Sequence, residues 1–432
     1  MVEYTSTRPQ GLFENYFVTR STLDFYRSVC IWSELDRPIT KPRLYAALSR
    51  LVTRHAALRA VVLDHDTKLP KFGFLARIEL DKVVEFVTCE SEIELGSLHE
   101  TKFDYTAADV PLWKLVVMNM TTLAFVFDHS PLDGTSGGIF HTDLLEFINT
   151  APESDLSVVE CDSIDMFPAM ESVVNTRPPA TYIISTLWKE FGPKWKSGPP
   201  ARNGSIYAIP TTYPVTNARY RVLTLSPSQA TSALSQCRAH STTLTAFLNA
   251  ALLAAMTKAY PSAPGFGTSI PISARRFMPN KDRIMGAYVF QYAEITPAQA
   301  FSWAEAARFG AALKAGTTAK AGYLIGMLRM LFGNISGWMQ AKVGQVRDRD
   351  MEISNLGAWK FVSGEYVAVK FGFSQPVGVT NPPVVISVAG IAGGSVTMVL
   401  GYSEDIVGDG IGDIIFNEFR RVVEEECTIP LR

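Results

Sequence analysis

Phe125-Val126-Phe127-Asp128-His129-Ser130-Pro131-Leu132-Asp133-Gly134-Thr135-Ser136-Gly137-Gly138 is the stretch from which the rest of the chain can be read. Leu123 to Phe127 is an apolar, aromatic run of strand type that ends directly on His129. Pro131 stiffens the turn that follows, and Gly134 offers a backbone free to take a positive φ. From Ser136 to Ile148 the spacing of Phe140, Leu144, Phe147 and Ile148 predicts a helix. A strand, a turn and a helix therefore hold one imidazole on rigid backbone. With an unperturbed pKa of about 6.5, that imidazole is mostly neutral near pH 7 and able to take a proton from a hydroxyl. A lone histidine beside a loop aspartate is more often an ordinary half-buried residue. The full His-x-x-x-Asp-Gly spacing is rarer, arising by chance in roughly one such sequence in fifty.

Upstream of this stretch, Leu115 to Met120 reads as the preceding strand, with a tight turn at Thr121-Thr122. Ala60–Leu63 and Val83–Val87 read as further strands. Thr40 caps a helix that has Pro42 in its first turn and Leu44, Ala47, Leu48, Leu51 and Val52 on one face. Downstream, prolines at 168, 178, 179, 193, 199 and 200 mark an interdomain crossover, with a short helix over Tyr182–Phe191. Regular structure resumes with strand Tyr220–Leu225, a helix from Ser226-Pro227 through Arg238, and an almost wholly apolar helix over Leu244–Tyr260. Strands follow over Gly267–Ile272, Ala287–Tyr292 and Val367–Phe373, and helices over Ser302–Ala315 and Asp409–Glu426. Val384 to Tyr402 carries no charge over nineteen residues, but its β-branched residues and Gly393-Gly394 predict a buried hairpin and not a membrane span.

At 432 residues the chain exceeds what one hydrophobic core supports, which predicts two lobes. We divide it into an N-terminal lobe over 1–175, a crossover over 176–204 and a C-terminal lobe over 205–432. Hydrophobic residues at 47% and charged residues at 19% match a globular protein, and a net charge of -2 without basic runs argues against nucleic acid or an anionic membrane as partner. Five scattered cysteines with no C-x-x-C pair argue against a disulfide framework and a zinc knuckle, so no metal is expected. Met1 to Gln10 lacks the apolar run of a secretory signal, and the expectation is a monomeric, soluble, cytoplasmic protein.

The quoted stretch resembles the mark shared by the superfamily that includes chloramphenicol acetyltransferase, peptide-synthetase condensation domains and the plant acyltransferases. Several ordered segments narrow the resemblance to the fungal alcohol O-acetyltransferase family. These are Arg8-Pro9 with Glu14-Asn15-Tyr16-Phe17, Arg20 and Phe25-Tyr26; Arg54-His55-Ala56-Ala57-Leu58-Arg59; Pro111-Leu112-Trp113; Trp188-Lys189-Glu190-Phe191-Gly192-Pro193; Ser354-Asn355-Leu356-Gly357; and Phe373-Ser374-Gln375-Pro376. The likeness spans nearly the whole chain. It implies an α/β fold of two chloramphenicol-acetyltransferase-like lobes, mixed sheets flanked by helices, with a tunnel at their interface and His129 at its middle.

The same resemblance implies an acyl-CoA cosubstrate, acetyl-CoA first, and esterification of a small alcohol or secondary-metabolite intermediate with His129 as general base. Asp133 is then no triad member but turns away to pair with an arginine, Arg275 being the candidate and Arg276 the alternative, while Gly134 shapes the loop. Ser354, Asn355 and Gly357 would lie beside the pantetheine arm or the developing oxyanion, and Ser374 and Gln375 near the tunnel. His55 and His141 read as structural. Phe371-Gly372-Phe373-Ser374 stands where plant relatives carry Asp-Phe-Gly-Trp-Gly, so plant-type acceptors are not implied. Two other uses of such a tunnel remain: transfer from a carrier-bound acyl donor, and cyclisation or binding without acyl transfer.

Overall fold

The computed structural model describes residues 2–67, 69–89, 93–191, 206–279 and 283–428. Around the quoted stretch lies a five-stranded sheet in the order Ala368–Ser374, Val29–Leu35, Thr122–Phe127, Trp113–Met118, Val84–Val87. The strand that ends at His129 is the central one, and every residue from Leu123 to Phe127 is buried. That burial on both faces is why the run is apolar without alternation. Trp113–Met118 pairs with it antiparallel, Trp113 opposite Phe127 and Met118 opposite Thr122. The turn expected at Thr121-Thr122 falls instead at Asn119 and Met120, whose φ values are 51° and 60°. Asn119 tolerates that left-handed backbone where a β-branched threonine does not. Its amide also bonds both the N–H and the carbonyl of Cys89, at 3.0 and 2.8 Å.

Helix Gly134–Thr150 covers one face of this sheet, with the Phe140 ring stacked on Phe125 at 3.7 Å. Helix Lys41–Arg54 packs beside it, begun as expected by Thr40, whose hydroxyl accepts the N–H of Arg43. A smaller sheet of Tyr4–Pro9, Lys71–Leu75 and Ala60–Leu63 closes the far side. Tyr4–Pro9 leads into helix Leu12–Thr22. Neither element is visible in the hydrophobic periodicity, because Leu12–Thr22 turns two faces toward protein.

The second sheet has six strands in the order Ala218–Leu225, Val396–Ser403, Val384–Ile391, Met351–Trp359, Gly265–Ser273, Val289–Pro297. The predicted hairpin is there, Val384–Ile391 against Val396–Ser403, with Gly393 at φ 74° in its turn. Beside it, parallel to Val384–Ile391, runs Met351–Trp359, a central strand that carries the Ser354-Asn355-Leu356-Gly357 segment and is interrupted by a bulge between Asn355 and Ala358. Helices Leu244–Ala259 and Ile411–Thr428 bury their apolar faces on this sheet around Phe247, Leu252, Ile353, Ile386 and Phe419. Among the described residues no helix is long and apolar enough to cross a membrane.

The expected crossover begins with helix Ala180–Phe191, and its following residues, Gly192 and Pro193 of the quoted segment included, lie outside the described residues. Strand pairing and close packing are among the contacts that bind the sheets together. Strand Ala368–Ser374 comes after the crossover in sequence, yet it is the edge strand of the first sheet, pairing Ala368 with Leu35 and Ser374 with Cys30. The first turn of helix Gly134–Thr150 also presses against strand Met351–Trp359. A Cβ on Gly138 would meet the Trp359 ring at 2.1 Å, while one on Gly137 would meet Ile31 of the first sheet at 2.2 Å. Gly138→Ala is therefore expected to destabilise the protein by about 1–3 kcal/mol, the usual cost of overpacking. Urea unfolding measures it, and an unchanged midpoint would mean that the indole moves aside freely.

Candidate active site

His129 leaves the central strand between two aspartates that each fix one end of its loop. Asp128 accepts bonds from the main-chain N–H and hydroxyl of Ser130, from Ser21 at 2.9 Å and from the Tyr105 hydroxyl at 3.0 Å. Asp133 caps helix Gly134–Thr150 by accepting the N–H of Ser136 at 2.8 Å. Its second oxygen accepts Arg275 Nη1 at 2.7 Å and the N–H of Tyr288 at 3.0 Å, while Arg275 Nη2 reaches the first at 3.0 Å. Arg275 is thus the partner and Arg276 is exposed, lining the cavity described below. Burial alone would push the Asp133 carboxyl up, but the guanidinium and the two main-chain donors outweigh it and hold it below the ordinary carboxylate value.

Gly134 differs from its expected conformation. It is the first helical residue and takes no positive φ; what its missing side chain provides is room for Leu356, which a Cβ would meet at 2.6 Å.

The imidazole itself is sandwiched. Phe17, from helix Leu12–Thr22, stacks on it at 3.9 Å and 6°, and Tyr26 tilts over it at 5.9 Å. Nδ1 is enclosed against the residue's own main chain. Nε2 has no protein partner among the described residues and opens on a cavity. A hydrogen on Nδ1 leaves the Nε2 lone pair outward, the tautomer a proton acceptor needs. Burial disfavours the charged ring and lowers its pKa to about 4, against opposing effects of its main chain and Asp133.

The cavity measures about 1460 Å³ and lies between the two sheets, lined from both. Ser354, Asn355 and Gln375 line it, and so does Gly134. The Ser354 hydroxyl has no partner among the described residues, and Asn355 donates to Thr245 Oγ1 at 3.0 Å. Two expected members do not reach it. Gly357 is exposed at the bulge with φ 77°, its N–H bonded to Asn355 Oδ1 at 2.8 Å. Ser374 is 1% exposed, with its hydroxyl at 2.8 Å from His99 Nε2. Alternation along strand Ala368–Ser374 explains the miss: Phe373 faces the cavity and Ser374 the opposite side. His141 is a core residue, held by Ser33 and the carbonyl of Ile31, both at 2.9 Å, and His55 bonds Asp143 at 2.7 Å.

Residues that the sequence reading assigned no role also line the cavity: Phe17, Arg20, Tyr26, Thr245, Arg347 and Glu352. Glu352 had a readable signal, since it precedes Ser354 by two and a strand puts both on one face. Its carboxyl is 6% exposed and bonded to Ser269 at 2.7 Å and Gln375 at 3.3 Å, and burial raises its pKa.

The profile of the alcohol acetyltransferase family matches residues 10–304. The chain is 25% identical to an uncharacterized protein of Schizosaccharomyces pombe over 94% of both chains. It is 22% identical to the probable alcohol acetyltransferase crmB of Aspergillus fumigatus, over 85% of this chain and 87% of the relative. Among solved structures, the TRI3 trichothecene 15-O-acetyltransferase of Fusarium sporotrichioides superposes with a TM-score of 0.70, covering 96% of this chain and 95% of that one at 12% identity. At that identity the likeness is one of fold.

Removing one member of the Asp133–Arg275 pair strands a buried charge, so Arg275→Leu is expected to cost about 3–5 kcal/mol. Adding Asp133→Asn should return part of it, since the amide still caps the helix. Thermal melts of the three variants test this, and a single mutant as stable as the parent would refute it. The core histidines predict a second dependence. His99 and His141, 4% and 1% exposed, both have pKa values lowered to about 4 by burial. Between that value and about 6.5 the unfolded chain binds more protons. Their stabilisation is complete above the unfolded pKa and is lost as pH falls toward 4, by up to roughly 3 kcal/mol per ring. The unfolding midpoint followed across that window should drop, and in His141→Gln it should drop less.

Proposed function

Because the chain belongs to the alcohol acetyltransferase family, we propose that it transfers an acyl group, acetyl first, from coenzyme A to the hydroxyl of a small alcohol or natural-product intermediate, with His129 as the base. The observation that carries this reading is the open Nε2 of a neutral, rigidly stacked imidazole on a cavity shared by both lobes. Nε2 takes the proton of the acceptor hydroxyl as its oxygen attacks the thioester carbonyl. The tetrahedral intermediate places negative charge on the former carbonyl oxygen, and the unpartnered Ser354 hydroxyl is the donor available to it. Collapse breaks the carbon–sulfur bond, and the departing thiolate takes the proton back from His129. Ester and free coenzyme A are the products, and no acyl-enzyme is needed.

Donor entry is best served where Ser241, Thr242, Thr243 and Thr245 line the cavity at the start of helix Leu244–Ala259, with exposed Arg276 and Lys314 also on its lining. A helix N-terminus and two exposed cations suit phosphate groups. Asn355, bonded to Thr245, joins this end to the strand bearing Ser354.

Purified protein with acetyl-CoA and a panel of alcohols should release free thiol and form acetate esters. His129→Ala should lower kcat by about 10²–10⁴ while leaving the thermal midpoint near that of the parent. Because the ring must be neutral to act, kcat/KM should stay level below neutrality and decline only as pH approaches the His129 pKa of about 4. Absence of ester with every alcohol, or full activity in His129→Ala, would overturn the proposal.

A further inference from the structure

Two buried guanidinium groups line the catalytic cavity with no carboxylate to answer them. Arg20 is 7% and Arg347 2% exposed, and neither forms an ion pair among the described residues. Both turn to one asparagine: Arg20 Nη2 donates to Asn381 Oδ1 and Arg347 Nη1 to the Asn381 carbonyl. Arg347 Nε donates to the carbonyl of Ala208 at 3.2 Å. Arg20 Nε and Arg347 Nη2 are buried without a partner among the described residues. Neutral acceptors satisfy part of each fork and leave each buried guanidinium without a contacting carboxylate among the described residues, a costly arrangement. Burial draws the Arg347 pKa down to about 10, the direction expected of a cation lacking its anion. Arg59 is a third buried arginine without an ion pair among the described residues, but it bonds the carbonyl of Asp162 and does not line the cavity.

Among the described residues no acid that lines the cavity forms an ion pair with either arginine, although Arg20 and Glu352 act on each other through space. Asp348 is exposed, and Glu352 spends its oxygens on Ser269 and Gln375. Position then narrows the choice of ligand. The Arg20 guanidinium lies 4.2 Å over the Tyr26 ring and 5.6 Å over Phe17, the two rings that flank His129. One aromatic layer therefore separates it from the base. The phosphates of coenzyme A stand off from the thioester by the whole uncharged pantetheine arm, so they cannot lie here while the thioester is at Nε2. The other substrate can.

Resting on the acyl-transfer reading, we propose that the acceptor is a hydroxy acid. Its carboxylate sits on Arg20 and Arg347 while its hydroxyl reaches Nε2 of His129. The planar fork of each arginine suits a carboxylate, and Asn381 sets the two forks relative to each other.

The test uses the full chain and a panel of short- to medium-chain β-hydroxy acids, each paired with its methyl ester. Equilibrium binding is measured by calorimetry without donor, then steady-state acetylation with acetyl-CoA. At least one acid should bind about tenfold or more tightly than its ester. That preference should shrink toward unity in Arg347→Gln and in Arg20→Gln, with the KM for acetyl-CoA within about twofold of the parent. Equal binding of every acid and its ester by the parent protein overturns the proposal, whether or not the variants fold. A rise in the acetyl-CoA KM with the acid preference intact assigns the arginines to the donor phosphates and also overturns it. Preferential binding of acids with no ester formed from any alcohol would leave the anion subsite standing and remove the acyl-transfer reading instead.

Discussion

The buried pair of Asp133 and Arg275 ties the loop that carries His129 to the second sheet. Asp133 belongs to the loop after the first sheet's central strand, and Arg275 follows a strand of the second sheet. One carboxylate at once caps a helix, anchors a guanidinium and accepts the N–H of Tyr288. Were it absent, the loop carrying His129 would be fixed at one end only, by Asp128. The ion pair is therefore a device for position. Desolvation makes such pairs poor sources of net stability, but a geometry that satisfies every lone pair leaves the loop few alternatives.

Positioning is combined with a second effect, exclusion of charge from the imidazole. Phe17 and Tyr26 cover the ring, and the same burial that lowers its proton affinity keeps it in the form that can accept. A weaker base gives up some driving force for proton removal. What it gains is readiness, because almost no molecule near neutral pH waits to lose a proton first. The surrounding cations share this environment, and Arg20 opposes protonation of the ring through space.

Much of the fold was legible in the sequence where apolar pattern and turn chemistry agree. The strand into His129, its helix, the Thr40 cap and the Gly393 hairpin all announce themselves by spacing and residue type. Strand Met351–Trp359 did not, because Glu352 and Ser354 interrupt its apolar run; the polar residues that hide it are the ones that face the cavity. Ser374 was misplaced by one residue of alternation. Arg20 and Arg347 carry no local signal, since their meeting at Asn381 depends on segments over three hundred residues apart. Asp133 with Arg275 was accessible only through family likeness, for the same reason.

Strand Ala368–Ser374 has a consequence for how the molecule is made. Until that segment leaves the ribosome, strand Val29–Leu35 has one row of main-chain donors and acceptors unanswered, on a segment whose side chains are almost all apolar in surroundings. Synthesis at ordinary rates leaves this edge bare for many seconds, open to pairing with neighbouring nascent chains. The two halves are for this reason not independent units of folding. A chain cut at the crossover would leave the first half as an incomplete sheet, and the second with a strand that has nowhere to dock.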